Sequence, residues 1–221
     1  MAREQLTLSG LRKVHETPPR RPLTTAEVRE VLSDIESSNR AARVRAATLL
    51  PLYTGLSLYE LTHLQRGWLF TDDGLTMIVV PESEPCSRKD GDASCGKCNN
   101  HDSPDYFETE KNERSIPVPP AIDDTLEFLL RSHSPLVSES GVQRCRADLT
   151  TERSIAGPAW RHTYGVILAT KGSSRREIGQ WMGIHHYGGN THRVRDYEEI
   201  ASHEAYAGLA EFGVEFGADP V

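Results

Sequence analysis

Three cysteines and a histidine crowd into the stretch CSRKDGDASCGKCNNH, residues 86–101. Cys86, Cys95, Cys98 and His101 follow the spacing C-x8-C-x2-C-x2-H. Thiolates and an imidazole are the donors that tetrahedral zinc prefers, and a C-x-x-C turn offers two sulfurs to one ion at about 2.3 Å. Three thiolates and one imidazole close the coordination sphere, which predicts a structural ion rather than a catalytic one. Gly96, Asn99 and Asn100 give the segment the backbone freedom of a knuckle. Asp90, Asp92 and Asp102 are oxygen donors that could stand in for His101. The segment is poor in apolar residues, so metal binding and folding are expected to be one event. Cys145 stands alone and is expected to be an ordinary buried side chain.

A second group of residues points to phosphate. Arg153, Arg161, His162, Lys171, Arg175 and Arg176 have few acids between them and form a candidate DNA face. The net charge of −7 does not exclude this. No lysine or arginine follows Arg195, and the seven acids beyond it account for the whole imbalance, leaving the remainder neutral.

These residues need a frame to hold them. A chain of 221 residues with 37% hydrophobic content can bury a core of its own. The N-terminus lacks the apolar region of a signal peptide, and no stretch approaches the roughly 20 apolar residues of a membrane span. Reduced thiols and a cytoplasmic location are therefore expected. Residues 1–22 read as a leader ending in TPPRRP, and 23–221 as a single domain. Thr24 and Glu27 form a capping box ahead of a helix with Val28, Val31, Leu32 and Ile35 on one face. A second helix runs through RAARVRAATLLPLY to Thr54-Gly55, and LYELTHL continues as a short helical turn. LTMIVVP reads as a buried strand and RSIPVPP as its returning partner, with the cysteines in an insertion over 82–106. Helices follow in AIDDTLEFLLRSH, AWRHTYGVILAT and SSRREIGQWMG, the last capped by Ser174 and Glu177. Residues 202–221 are expected to form an acidic C-terminal helix and tail. The fold class is mainly α with a small antiparallel sheet.

The succession TGLSLYEL, ERSIPVP, RHTYG and EIGQWMGIHH resembles the catalytic domain of tyrosine recombinases, the phage-integrase-like proteins, over about residues 24–200. The likeness is greatest to archaeal forms with a cysteine-bearing insertion. About twenty residues precede the match, so the family's N-terminal DNA-clamping domain is expected to be missing. The resemblance implies a tyrosine that attacks the scissile phosphate, with arginines, a lysine and histidines around that phosphate. Carried over position by position, Arg161 is the second arginine, His185 a displaced histidine and Tyr197 the better candidate nucleophile, with Tyr187 the alternative. Ser57 stands where the first arginine belongs, Glu108 where the lysine belongs, and Pro158 where a histidine belongs. Lys111 is a candidate substitute for the lysine.

The resemblance is thus good for the fold and poor for the active site. The expected function is a zinc-containing, DNA-binding protein of integrase fold without strand cleavage, a regulator or accessory factor in recombination or integration. Two alternatives stay open: a divergent active recombinase using Lys111, Arg161, His185 and Tyr197, and a zinc-containing protein-interaction module. The expected partners are double-stranded DNA and a second copy of the chain through the C-terminal helix, with no small-molecule substrate.

Overall fold

Thr24 Oγ1 accepts from the Glu27 amide (3.3 Å), and the Glu27 carboxylate accepts from the Thr24 N–H (2.8 Å). This reciprocal cap starts helix α1, Thr25–Ser37, where the sequence places it. Its buried stripe is Val28, Val31 and Ile35. The computed structural model describes residues 21–72, 75–87, 95, 98, 106–109, 113–119, 122–123, 126–127, 130–131, 137–147, 149, 157–184 and 191–212.

Helix α2, Ala42–Thr54, ends on Gly55 in the left-handed conformation (φ 63°). That turn lets α3, Leu58–His63, begin immediately under a second capping box formed by Ser57 and Glu60. A 3-10 turn, Arg66–Trp68, leads into strands β1, Leu69–Asp72, and β2, Leu75–Val80. Strand β5, Arg114–Pro117, returns on the other side of β2, giving a three-stranded antiparallel sheet of order β1-β2-β5. Ile78 lies opposite both Leu69 and Ile116, which sets the buried face. Strands β3, Ser83–Pro85, and β4, Tyr106–Glu108, form a separate two-stranded ribbon. Cys86, Cys95 and Cys98 lie after β3 and before β4 in the chain.

Residues 122–123, 126–127 and 130–131 are helical, and the helices with described bounds after β5 are α4, Glu139–Ala147, α5, Gly157–Thr170, α6, Arg175–Trp181, α7, Thr191–Ala201, and α8, Glu204–Ala207. Two apolar clusters share α2: Ala47 and Leu50 face the sheet side, and Leu52 faces α5. Helix α5 is central, with Trp160, Tyr164, Ile167 and Leu168 buried as the sequence predicts. Cys145 is also buried, as expected. The Ser174–Glu177 capping box opens α6 as predicted.

The single C-terminal helix expected from residue 202 is corrected. Helix α8 stops after Ala207 and gives way to a 3-10 turn, Gly208–Phe212. A Cβ on Gly208 would lie 2.6 Å from Thr25 Cγ2, so only glycine permits the close approach to α1. Leu209 is fully buried against the α5 side of the core, and Glu211 pairs with Arg29 at 2.6 Å. The described part of this segment therefore docks on its own chain. Among the described residues no helix is long and apolar enough to cross a membrane.

Candidate metal centre and buried polar core

Helix α3 is short, yet Glu60, Leu61, Thr62 and His63 on it are all buried. His63 Nδ1 lies 2.8 Å from the Tyr59 carbonyl, one turn back. A carbonyl only accepts, so Nδ1 carries the proton and Nε2 is left with its lone pair. That nitrogen faces the Sγ atoms of Cys86, Cys95 and Cys98 at 3.6, 3.5 and 3.3 Å. Cys95 and Cys98 are 3.5 Å apart at sulfur, and all four cysteines of the chain are free thiols. A tetrahedral ion with ordinary zinc bond lengths would set S···N separations of about 3.6 Å and S···S separations of about 3.8 Å. The three S···N distances and the Cys95–Cys98 separation sit close to those figures, and all four donors lie within 4.8 Å of one another. One lone pair cannot serve three S–H donors at once, whereas one cation serves all four groups. The cluster can therefore hold a metal ion.

Aromatic side chains pack around His63 on the core side of the cluster. Phe107, fully buried, lies against Tyr59, His63 and Trp68 with ring centroids 5.0, 5.0 and 5.1 Å away. Burial pushes the Cys98 thiol up to about 12, so thiolates here require a positive charge beside them. The Tyr59 hydroxyl is 3.4 Å from Cys98 Sγ, a hydrogen bond that would stabilise a metal-bound sulfur. Tyr59→Phe is expected to weaken metal binding by about 10–100-fold, the usual effect of removing an outer partner of a ligand. Competition against a chromogenic chelator measures it, and an unchanged affinity would rule the hydroxyl out of the site.

Three of the four predicted ligands are brought together, and the fourth donor is His63, which the spacing did not reveal. His101 lies outside the described residues. So do Lys111, Arg153, His185 and Tyr187.

Two of the positions carried over from the recombinase pattern, Ser57 and Arg161, meet at the buried carboxylate of Glu60. The Ser57 hydroxyl accepts from the Glu60 amide at 3.2 Å and caps α3. Glu60 Oε2 accepts from the Ser57 N–H at 2.7 Å, and Glu60 Oε1 lies 2.8 Å from Arg114 Nη2 and accepts from Thr109 at 3.2 Å. Both members of the Glu60–Arg114 pair are 2% exposed. Arg161 reaches the same carboxylate at 3.8 Å and donates to the carbonyls of Gly55 and Met182, with its side chain 13% exposed. Burial pulls the Arg161 pKa down to about 10, with Glu60 acting in the opposite sense, so the side chain stays cationic at neutral pH.

Tyr197 lies on α7, 3% exposed, with its hydroxyl 2.7 Å from His162 Nδ1. Gly165 makes room for the ring, because a Cβ there would lie 2.6 Å from Tyr197 Cε2. Glu108 ends β4 opposite Ser83, and Pro158 sits exposed in the first turn of α5. Among the predicted DNA contacts, Lys171 lies in the turn after α5, and Arg175 and Arg176 are exposed at the start of α6. Arg175 is bound by Glu198 of α7 through Nε (2.8 Å) and Nη2 (2.6 Å). An acid distant in sequence thus joins this group in space.

Solved structures of tyrosine recombinases share this architecture. The Tn1549 transposon integrase in complex with circular intermediate DNA matches with a TM-score of 0.58 and 18% identity, over 89% of this chain and 66% of that one. XerH site-specific recombinase bound to its difH substrate matches with 0.52 and 18%, over 83% and 53%. XerA recombinase matches with 0.50 and 17%, over 84% and 63%. The chain thus spans between about half and two thirds of these proteins. No protein-family model matches the chain, and no curated protein matches it significantly. The fold is that of a tyrosine-recombinase catalytic domain.

Proposed function

We propose that this chain is a cytoplasmic, zinc-containing, DNA-binding protein of tyrosine-recombinase fold that does not cleave DNA. It would act as a regulator or accessory factor in recombination or integration. In this reading residues 1–22 are a leader, 23–221 one domain, and 82–106 its metal-binding insertion. The observation that carries the proposal is the state of Arg161. Two of its five N–H donors are engaged by backbone carbonyls, one on each terminal nitrogen, and its charge is shared with a buried carboxylate. A group so committed offers little to a transferring phosphate. Ser57 is likewise committed, as a helix cap. Losing one preorganised donor costs roughly 10²–10³ in rate, so losing two leaves little chemistry. Zinc fits the proposal because three thiolates and one imidazole are its customary closed set.

A second reading, an active recombinase, is favoured by the Tyr197–His162 hydrogen bond, because a tyrosine hydroxyl on an imidazole is a nucleophile beside a base. Incubation with nicked duplex DNA separates the two. The expected result is salt-dependent binding with no covalent adduct. Arg176→Ala should lower the log–log salt slope by about 0.9, and Arg175→Ala by less, since Glu198 already holds that guanidinium. An adduct abolished by Tyr197→Phe establishes the recombinase reading instead. No binding at low salt leaves the interaction-module alternative. Sedimentation of the same protein tests whether a second copy associates through residues 202–221, as the sequence leads one to expect.

A further inference from the structure

We propose, building on the zinc reading above, that His63 is the fourth ligand and that the ion clamps helix α3, thereby holding Glu60 against Arg114 and Arg161. A Cys3His set completed from within residues 86–101 would make a self-contained knuckle whose loss left the rest of the fold intact. A set completed by His63 joins that segment to the core.

The geometry supports the second arrangement through two independent features. The ring of His63 is oriented by its own helix, with Nδ1 satisfied by the Tyr59 carbonyl and Nε2 turned to three sulfurs. Such a bond on the far nitrogen is what fixes a metal-binding imidazole. The same helix also contributes Tyr59 to Cys98. Ligand and supporting partner thus come from successive turns of one element.

Helix α3 spans six residues, far below the length at which a helix persists without tertiary support. It is anchored at its start by the Ser57 cap and at its end by His63. Glu60 lies between these anchors, one turn before His63. Its carboxylate receives Ser57, Thr109 and Arg114 and faces Arg161. Releasing the end of the helix frees the residue on which two buried cations depend. The ion would therefore be a support for the buried polar core as well as for the insertion.

The test uses the full chain purified without added metal. Wild-type protein is expected to carry one zinc per chain, and His63→Ala to lose at least 100-fold in zinc affinity while His101→Ala binds as wild type. Because His63→Ala could fail to fold, cadmium-substituted wild-type protein provides a second measurement. Scalar coupling between the metal and an imidazole nitrogen should assign to His63. Coupling to His101, or full affinity in folded His63→Ala, overturns this inference and leaves the zinc reading standing. Absence of metal from the wild type overturns both. Hydrogen exchange tests the clamp: chelation should speed exchange of the Leu61 and Leu64 amides, which bond to Ser57 and Leu61 carbonyls, by at least tenfold. Unchanged protection of those amides after complete metal removal overturns the clamp.

Discussion

Glu60→Gln is expected to destabilise the fold by about 3–5 kcal/mol, the range observed when one member of a buried ion pair is removed. The substitution preserves shape and keeps an oxygen for the Ser57 N–H, so the loss is of charge. Arg114, 2% exposed, would be left without its carboxylate, and Arg161 would lose its only carboxylate among the described ion pairs. For a chain of this size the change should lower Tm by roughly 6–20 °C. Thermal and urea denaturation measure it. A loss below about 1 kcal/mol would mean that water reaches the two guanidinium groups and that the site is not dry.

Gly55→Ala should cost about 2–5 kcal/mol for two separate reasons. At φ 63° an L-residue is strained by roughly 1–2 kcal/mol. The added methyl would also lie 2.4 Å from Tyr164 Cδ1, in a ring that is fully buried, and overpacking of that kind costs about 1–3 kcal/mol. The Gly55 carbonyl is one of the two that hold Arg161. Displacing it should disturb that guanidinium together with the α2–α3 turn. Pairing the substitution with Tyr164→Leu tests the cause. Recovery of part of the loss identifies the ring contact, whereas no recovery assigns the whole effect to the backbone.

Local signals in the sequence were sufficient for much of the frame. The Thr24–Glu27 and Ser174–Glu177 boxes, the α5 stripe and the strand pair around the cysteines follow from spacing alone. Three thiols within one segment were equally legible. His63 was not, because it precedes Cys86 by 23 positions on a helix that reads locally as a polar-apolar turn. Ser57 is different: S-L-Y-E carries the capping-box pattern openly. In the recombinase register the same serine falls where an arginine belongs, so one position carries two competing meanings. Glu198 meets Arg175 across 23 positions, and Gly208 meets Thr25 across the domain. Such encounters are properties of packing, and no window of sequence contains them.

The crossing of α7 over α5 at Gly165 has a consequence for when Tyr197 could react. A buried aromatic hydroxyl meets an outside phosphate only while its helix is lifted away. Re-exposing such a ring costs about 1.5–3 kcal/mol, and each 1.4 kcal/mol is a factor of ten in population. The opened form would then be at most about one molecule in ten to one in a hundred, since lifting α7 also uncovers Val194. Any attack by this tyrosine would be slowed by that fraction before chemistry began, and a partner that gripped the lifted helix would raise the rate without touching a reacting atom.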